Sequence, residues 1–275
     1  MARGVFSTAN YFRITSGIIT STPLTIAAWV KPSAFSANQY IAGIVYSSAA
    51  SGTAQDGWYL EINATDGKVN AIVGNGTGIN LATSGSGATS GAWNHMAAKF
   101  TSSTSRHSYL NGTKSTESTN SNTPSATPDK TAIGVFVREN GSLAQAAASC
   151  HIAEVGFWNV ALSDEEIAAL AKGVSPLLIR LNNLVGYYPL IRGDSSGDEP
   201  NPKNAAYKMV EQGTVSVQPH SPVFMPSPPS LFKRVTATPS GWSNLVKVNG
   251  VLSSSLAKVN GVAVTSISKI NGISV

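Results

Sequence analysis

The sequence predicts an all-β protein: an antiparallel two-sheet jelly-roll sandwich with one short helix, followed by an extended C-terminal tail of β-repeats. Three observations carry this. Short apolar or alternating runs succeed one another through the first 160 residues, with turn signals between them. Charged residues make up 12% of the 275-residue chain, about half the ordinary share, and Ser, Thr, Gly, Ala and Asn take their place. Hydrophobic residues still reach 42%, enough for a sizeable core.

The elements follow in order. Leu24 to Val30 is apolar at nearly every position, as expected inside a two-layer packing. Trp58, Leu60 and Ile62 alternate onto one face, and Asp66-Gly67 turns the chain into Lys68 to Val73. Met96, Ala98 and Phe100 share one side of the next strand. His107 to Leu110 follows and Asn111-Gly112 turns it, after which Thr131 to Phe136 and His151 to Trp158 complete the set. Many short strands separated by turns read as a sandwich or jelly roll. Trp29, Trp93 and Trp158 are expected in the core, and Trp58 in the core or on a sheet face.

One helix is marked. Ser163-Asp-Glu-Glu166 is a capping box, in which Ser163 caps and Glu166 reaches back to the Ser163 amide. Ile167, Leu170 and Ala171 form the apolar stripe, Gly173 ends it and Pro176 prevents continuation. The expected organisation is a sandwich over 1–175, then a strand-like extension and Pro-rich connector over 176–230, then a basic assembly tail over 231–275. Five prolines between Pro219 and Pro229 read as a stiff, extended connector.

The tail repeats one eleven-residue unit three times, with Lys247, Lys258 and Lys269 at one place and Asn249-Gly250, Asn260-Gly261 and Asn271-Gly272 at another. Asn-Gly between β-branched residues is the strongest short hairpin signal, because both residues tolerate the positive φ of a tight primed turn. A unit this short cannot bury its own apolar face, so it must stack on copies of itself or on another surface. Leu245, Leu256 and Ile267 are expected to supply the buried rungs. Val248, Val259 and Ile270 precede the turns at matching places, and the three lysines are expected to line one edge. A homo-oligomer follows, with threefold association as the expected form, because three strands enclose a small apolar seam.

The net charge of +5 sits entirely in this region: residues 1–211 hold 14 basic and 14 acidic side chains, and no acid follows Glu211. A basic tail suits an acidic protein surface. Without interleaved arginines and stacking aromatics, it speaks against nucleic acid as the partner. No stretch reaches the length of a membrane span, and the N-terminus has no signal-peptide core. Cys150 is alone, which excludes an internal disulfide framework and a Cys-based zinc site.

No catalytic residue, metal or cofactor is assigned. Two carboxylates about 5–5.5 Å apart would be needed for retaining glycoside hydrolysis. Glu61 and Glu154 each stand alone in the sequence, and Asp164, Glu165 and Glu166 open a helix, where negative charge favours the dipole. Asp56, Asp66 and Asp129 are the acids available to a loop cation site, but sequence shows no convergence among them. His95 is expected to be hydrogen-bonded and partly buried. Gly74-Asn-Gly-Thr-Gly78 is read as a hairpin or rim loop, not a phosphate cradle. Tyr40, Tyr46 and Trp242 are the candidates for exposed stacking on a sugar or a protein.

Four stretches in order resemble the laminin-G-like, concanavalin A-like sandwich family: Leu24 to Pro32, Trp93-Asn-His-Met-Ala97, Tyr109-Leu-Asn-Gly112, and Ile152 to Leu170. The Leu184 to Val223 segment resembles an extension that often follows that domain. The resemblance implies binding of glycans or proteins, with fold analogy as its only warrant. The terminal repeats resemble tails on structural proteins of tailed bacteriophages. The expected function is therefore a non-enzymatic virion structural protein, of the capsid-decoration or head-fibre type, assembled in the host cytoplasm with other virion proteins. The alternative is a carbohydrate-binding tail protein for attachment to host or surface glycan. A glycoside hydrolase ranks below both, for want of an acid pair.

Overall fold

The computed structural model describes residues 2–48, 54–138, 140–191 and 197–223, together with short strand pairs in the tail. The chain forms two compact units, Met1–Met225 and Pro226–Val275.

The described residues of the first unit form seventeen strands. In chain order these are β1 (Ala2–Gly4), β2 (Tyr11–Ile14), β3 (Leu24–Pro32), β4 (Gln39–Val45), β5 (Asp56–Ile62), β6 (Lys68–Asn75), β7 (Ile79–Gly87), β8 (Asn94–Ser102) and β9 (Ser105–Leu110). Then come β10 (Thr113–Lys114), β11 (Lys130–Ile133), β12 (Val135–Val137), β13 (Leu143–Ala146), β14 (Cys150–Trp158), β15 (Leu184–Tyr188), β16 (Val210–Gln212) and β17 (Ser216–Gln218). One antiparallel sheet runs β10-β9-β8-β3-β14-β1-β17, and β15 also pairs with β14. The other runs β16-β2-β11-β4-β5-β6-β7. β12 and β13 form a separate hairpin.

The main core lies between the sheets, filled by alternate residues as the period of two requires. Leu24, Ile26, Ala28 and Val30 of β3 meet Trp58, Leu60 and Ile62 of β5 and Met96, Ala98 and Phe100 of β8. Trp58 thus belongs to the core. The outer faces are covered as well, which is why β3 reads as continuously apolar. The helix α1 (Asp164–Ala171) lays Ile167 and Leu170 over Ala27, Ala97, Tyr109 and Trp158. Its capping box is present: Glu166 N donates to Ser163 Oγ (3.2 Å) and Ser163 N donates to Glu166 Oε2 (2.8 Å). On the other sheet, Tyr11, Tyr40, Tyr59 and Ile72 pack with Phe136 and Val137 of β12.

Two expectations about burial and one about the sandwich's extent change. Trp29 and Trp158 are buried, but Trp93 is half-buried beside Trp29, on the outer face. Trp93 precedes β8, where no second sheet closes over it. His95 is fully enclosed, not partly buried. It packs edge-on against Trp29 at 5.6 Å, and its Nδ1 has no hydrogen-bond partner among the described residues. The sandwich also does not end at residue 175. β15 extends β14, while β16 and β17 pair with β2 and β1 as the edge strands of the two sheets.

A buried ion cluster ties this C-terminal segment to the first strand. Arg3 Nε donates to Glu199 Oε1 (3.1 Å) and Nη1 donates to the Val215 carbonyl (2.8 Å). Glu211 lies 3.9 Å from Nη1, and the guanidinium sits 5.7 Å from the Phe12 ring centroid. The Arg3 and Glu199 side chains are wholly excluded from solvent.

In the second unit the strands are β18 (Lys247–Val248), β19 (Val251–Leu252), β20 (Lys258–Val259), β21 (Val262–Ala263), β22 (Lys269–Ile270) and β23 (Ile273–Ser274). Val248 pairs with Val251, Val259 with Val262 and Ile270 with Ile273, so each ladder spans one Asn-Gly pair. Lys247, Lys258 and Lys269 thus occupy equivalent strand positions. Leu245, Leu256 and Ile267 fall outside the described residues, as does most of the Pro219 to Pro229 connector.

Candidate functional site

Of the aromatic candidates, Tyr40 is overturned. It lies on the outer face of β4, where the β12–β13 hairpin covers it. It is 3% exposed, stacked on Phe136 at 4.6 Å, and its hydroxyl accepts from Gln55 Nε2. Burial also drives the hydroxyl's ionisation far above the ordinary range, reinforced by the Glu61 carboxylate. Tyr46 is half-buried, and its amide donates to the Asp56 carbonyl (3.0 Å). Trp242 lies outside the described residues.

The carboxylates that looked solitary each have partners. Glu61 is 2% exposed and accepts from Asn70 Nδ2 (3.1 Å), and burial raises its carboxyl above the usual range. Glu154 has a left-handed backbone (φ 56°) at a register shift in β14. Its side chain accepts from the Tyr187 hydroxyl (2.6 Å) and lies 3.1 Å from His220 Nε2. Asp56 is bound by Ser125, Asp129 by Ser47 and Ser48, and Asp66 by Lys68. No group of three His, Cys, Asp or Glu side chains suited to a metal ion occurs among the described residues. Cys150 is buried, and desolvation pushes its thiol up.

The site that does emerge lies at one end of the sandwich, around the loop joining β2 to β3. Ile18 and Ile19 of this loop plug into the core, and the Ile18 amide donates to Thr131 Oγ1 (3.2 Å). Gly17 passes so close to Pro128 that a Cβ there would stand 2.2 Å from the Pro128 carbonyl oxygen. The anchored loop then exposes Thr20 and Ser21. A cleft of about 460 Å³ runs from these residues and Thr22 to Asn159, Val185 and Tyr207. A smaller cleft of about 210 Å³ shares Thr20, Ser21 and Thr22 and reaches Trp58, Thr123 and Thr127. Neither cleft is lined by an acid or a base. The Tyr207 carbonyl accepts from the Tyr188 hydroxyl (2.6 Å), and Asn183 Nδ2 donates to Asn159 Oδ1 (3.0 Å). Hydroxyls, one carboxamide and the Tyr207 ring, without charge, are groups that hydrogen-bond and stack on sugar rings.

Sequence reading did not single out this constellation. Its only local trace is the hydroxyl run Thr20-Ser21-Thr22 before β3, since Asn159 and Tyr207 come from distant segments.

Two antiparallel sheets with one helix laid on an outer face define a jelly-roll sandwich of lectin type. The family model described as the concanavalin A-like lectin/glucanases superfamily, of laminin G class, matches residues 6–168, and the chain belongs to this family. Among solved structures, a putative carbohydrate binding protein from Bacteroides ovatus is similar, with a TM-score of 0.54 at 16% identity, covering 81% of this chain. The chain spans 61% of that protein, and the likeness shows the shared fold. A SAP-like pentraxin from Limulus polyphemus gives a TM-score of 0.45 at 16% identity, covering 59% of this chain and 75% of its own. The CBM40 domain of a Ruminococcus gnavus sialidase, bound to α2,3-sialyllactose, gives 0.45 at 14% identity, covering 62% and 94%. No curated protein matches the sequence.

Proposed function

We propose that this chain is a non-enzymatic glycan-binding protein whose lectin-type sandwich is displayed by its C-terminal repeats on a larger particle. The observation that carries the glycan reading is the uncharged cleft at Thr20, Ser21, Asn159 and Tyr207 on a concanavalin A-like frame. Against catalysis stand Glu61 and Glu154, only 2% and 5% exposed and engaged by Asn70 and by Tyr187. A glycan array with the full chain is expected to give specific binding, and recovered glycans should be uncut. Tyr207→Ala should weaken binding about tenfold, the loss of one aromatic contact worth roughly 1–1.5 kcal/mol. Cleaved glycan, or binding unchanged by Tyr207→Ala and Asn159→Ala together, would refute the reading.

The particle we propose is the virion of a tailed bacteriophage, with the protein serving as a capsid decoration or head fibre assembled in the host cytoplasm. The three Lys-Val/Ile-Asn-Gly hairpins support this, because two-stranded ribbons of two residues per strand have no core and need a surface to stack on. A self-association, threefold in our reading, supplies that surface. Deleting residues 241–275 should leave the thermal midpoint of the sandwich unchanged while abolishing the oligomer seen by light scattering. A truncated chain that keeps its oligomeric mass would exclude the tail from assembly.

A further inference from the structure

We infer that the glycan bound here carries a carboxylate, and that Arg13 receives it in a second cleft beside the uncharged one. The inference rests on the glycan-binding reading and adds the ligand's charge class. Arg13 lies on the outer face of β2, paired in register with Ala132 on one side and Val210 on the other. It lines a cleft of about 310 Å³ with Thr15, Ala206, Lys208 and Gln212. Its guanidinium rests on the buried Tyr11 ring, 5.9 Å from the centroid, which holds it in place. Among the described residues no carboxylate pairs with it and no hydrogen bond uses its donors.

The other cation of the cleft is spent, because Lys208 Nζ lies 2.6 Å from Asp198 Oδ2. Among the described residues the cleft therefore presents one positive charge without a paired acid, on the side chain whose planar fork matches a carboxylate bidentately. The Thr15 hydroxyl and the Gln212 carboxamide add neutral hydrogen-bonding groups of the kind sugar hydroxyls use. The two clefts also share their walls. The segment after β2 gives Thr15 to this cleft and Gly17 to the uncharged one, and the 205–208 segment gives Ala206 and Tyr207 respectively. One oligosaccharide laid across that wall would set neutral rings against Tyr207 and an acidic sugar on Arg13.

The test is calorimetric titration of the full chain with a uronic-acid oligosaccharide, its carboxyl-reduced counterpart and a sulfated oligosaccharide of equal length. The carboxylated ligand is expected to bind about tenfold or more tighter than the reduced one, the scale of one charge-assisted hydrogen-bonding pair. The preference should shrink with added salt. Arg13→Met should remove the preference, and an unchanged thermal midpoint shows that the variant is folded. Arg13→Lys should retain part of it. Equal binding of carboxylated and reduced ligands would overturn the inference and leave the glycan reading standing. Equal binding of the sulfated ligand would make the site a general anion site and overturn the carboxylate assignment. A preference that survives Arg13→Met would overturn the placement. Binding of none of the three, with a neutral array also blank, would overturn the underlying reading.

Discussion

Replacing Arg3 by methionine is expected to cost the sandwich about 3–5 kcal/mol, a large share of the roughly 5–15 kcal/mol that holds a domain folded. The guanidinium is buried with the Glu199 and Glu211 carboxylates, and it also donates to the Val215 carbonyl. Removing it leaves both carboxylates buried without the guanidinium, which costs more than the pair itself contributes. The Glu199 pair ties β1 to the segment between β15 and β16, so the loss should be global rather than local. Urea titration measures it. A shift below about 1 kcal/mol would mean that the cluster is hydrated. Coupling Arg3→Met to Glu199→Met should recover part of the loss, since one of the two buried carboxylates is then gone while Glu211 remains.

The second large effect is acid sensitivity through His95. Burial holds its imidazole down at about 3 in the folded protein, against an ordinary value near 6.5. Between those limits the unfolded chain binds a proton that the folded chain does not. Stability therefore falls as pH drops below about 6.5 and levels off below about 3, by ~5 kcal/mol over the whole window and ~3 kcal/mol by pH 4.5. Other buried groups also titrate. Burial raises the carboxyls of Asp56 and Glu61, which act with the opposite sign, and lowers the imidazoles of His107 and His151, which act with the same sign. The informative quantity is thus the difference from His95→Leu, measured by urea unfolding at pH 6.5, 5.5 and 4.5. The variant should lose clearly less stability than the parent across that range. Parallel losses would show that His95 is hydrated or already charged in the fold.

Much of the architecture is local and was readable. Trp58, Leu60 and Ile62 face the core because side chains alternate along any strand. Asn111 and Gly112 both adopt positive φ (50° and 81°), and Leu110 faces Thr113, as a primed two-residue hairpin requires. Ser163 and Glu166 cap α1 by bonds that span three residues.

Burial on the outer faces was not readable, because it depends on what crosses over them. Tyr40 is a β4 residue of the kind that faces solvent in many sheets, and only the return of β12 puts Phe136 on top of it. Trp93 differs from Trp158 in the opposite sense, since α1 and Leu184 enclose Trp158 while Trp93 is only partly covered. The candidate site was hidden for the same reason. Its hydroxyls, carboxamide and ring come from Thr20, Asn159 and Tyr207, each ordinary in its own neighbourhood.

The sequence by itself determined the strands read between Leu24 and Trp158, the inward residues of β5 and β8, the helix caps, the Asn111-Gly112 turn and the family resemblance that the match over residues 6–168 bears out. These rest on nearest-neighbour sterics and on a period of two, which a short window contains. Tertiary structure decided that β15, β16 and β17 belong to the sandwich, that Arg3 is neutralised inside it, and that Arg13 faces a cleft without an acid. Those outcomes depend on contacts between distant segments, where a charge meets or misses its partner only after the sheets have closed.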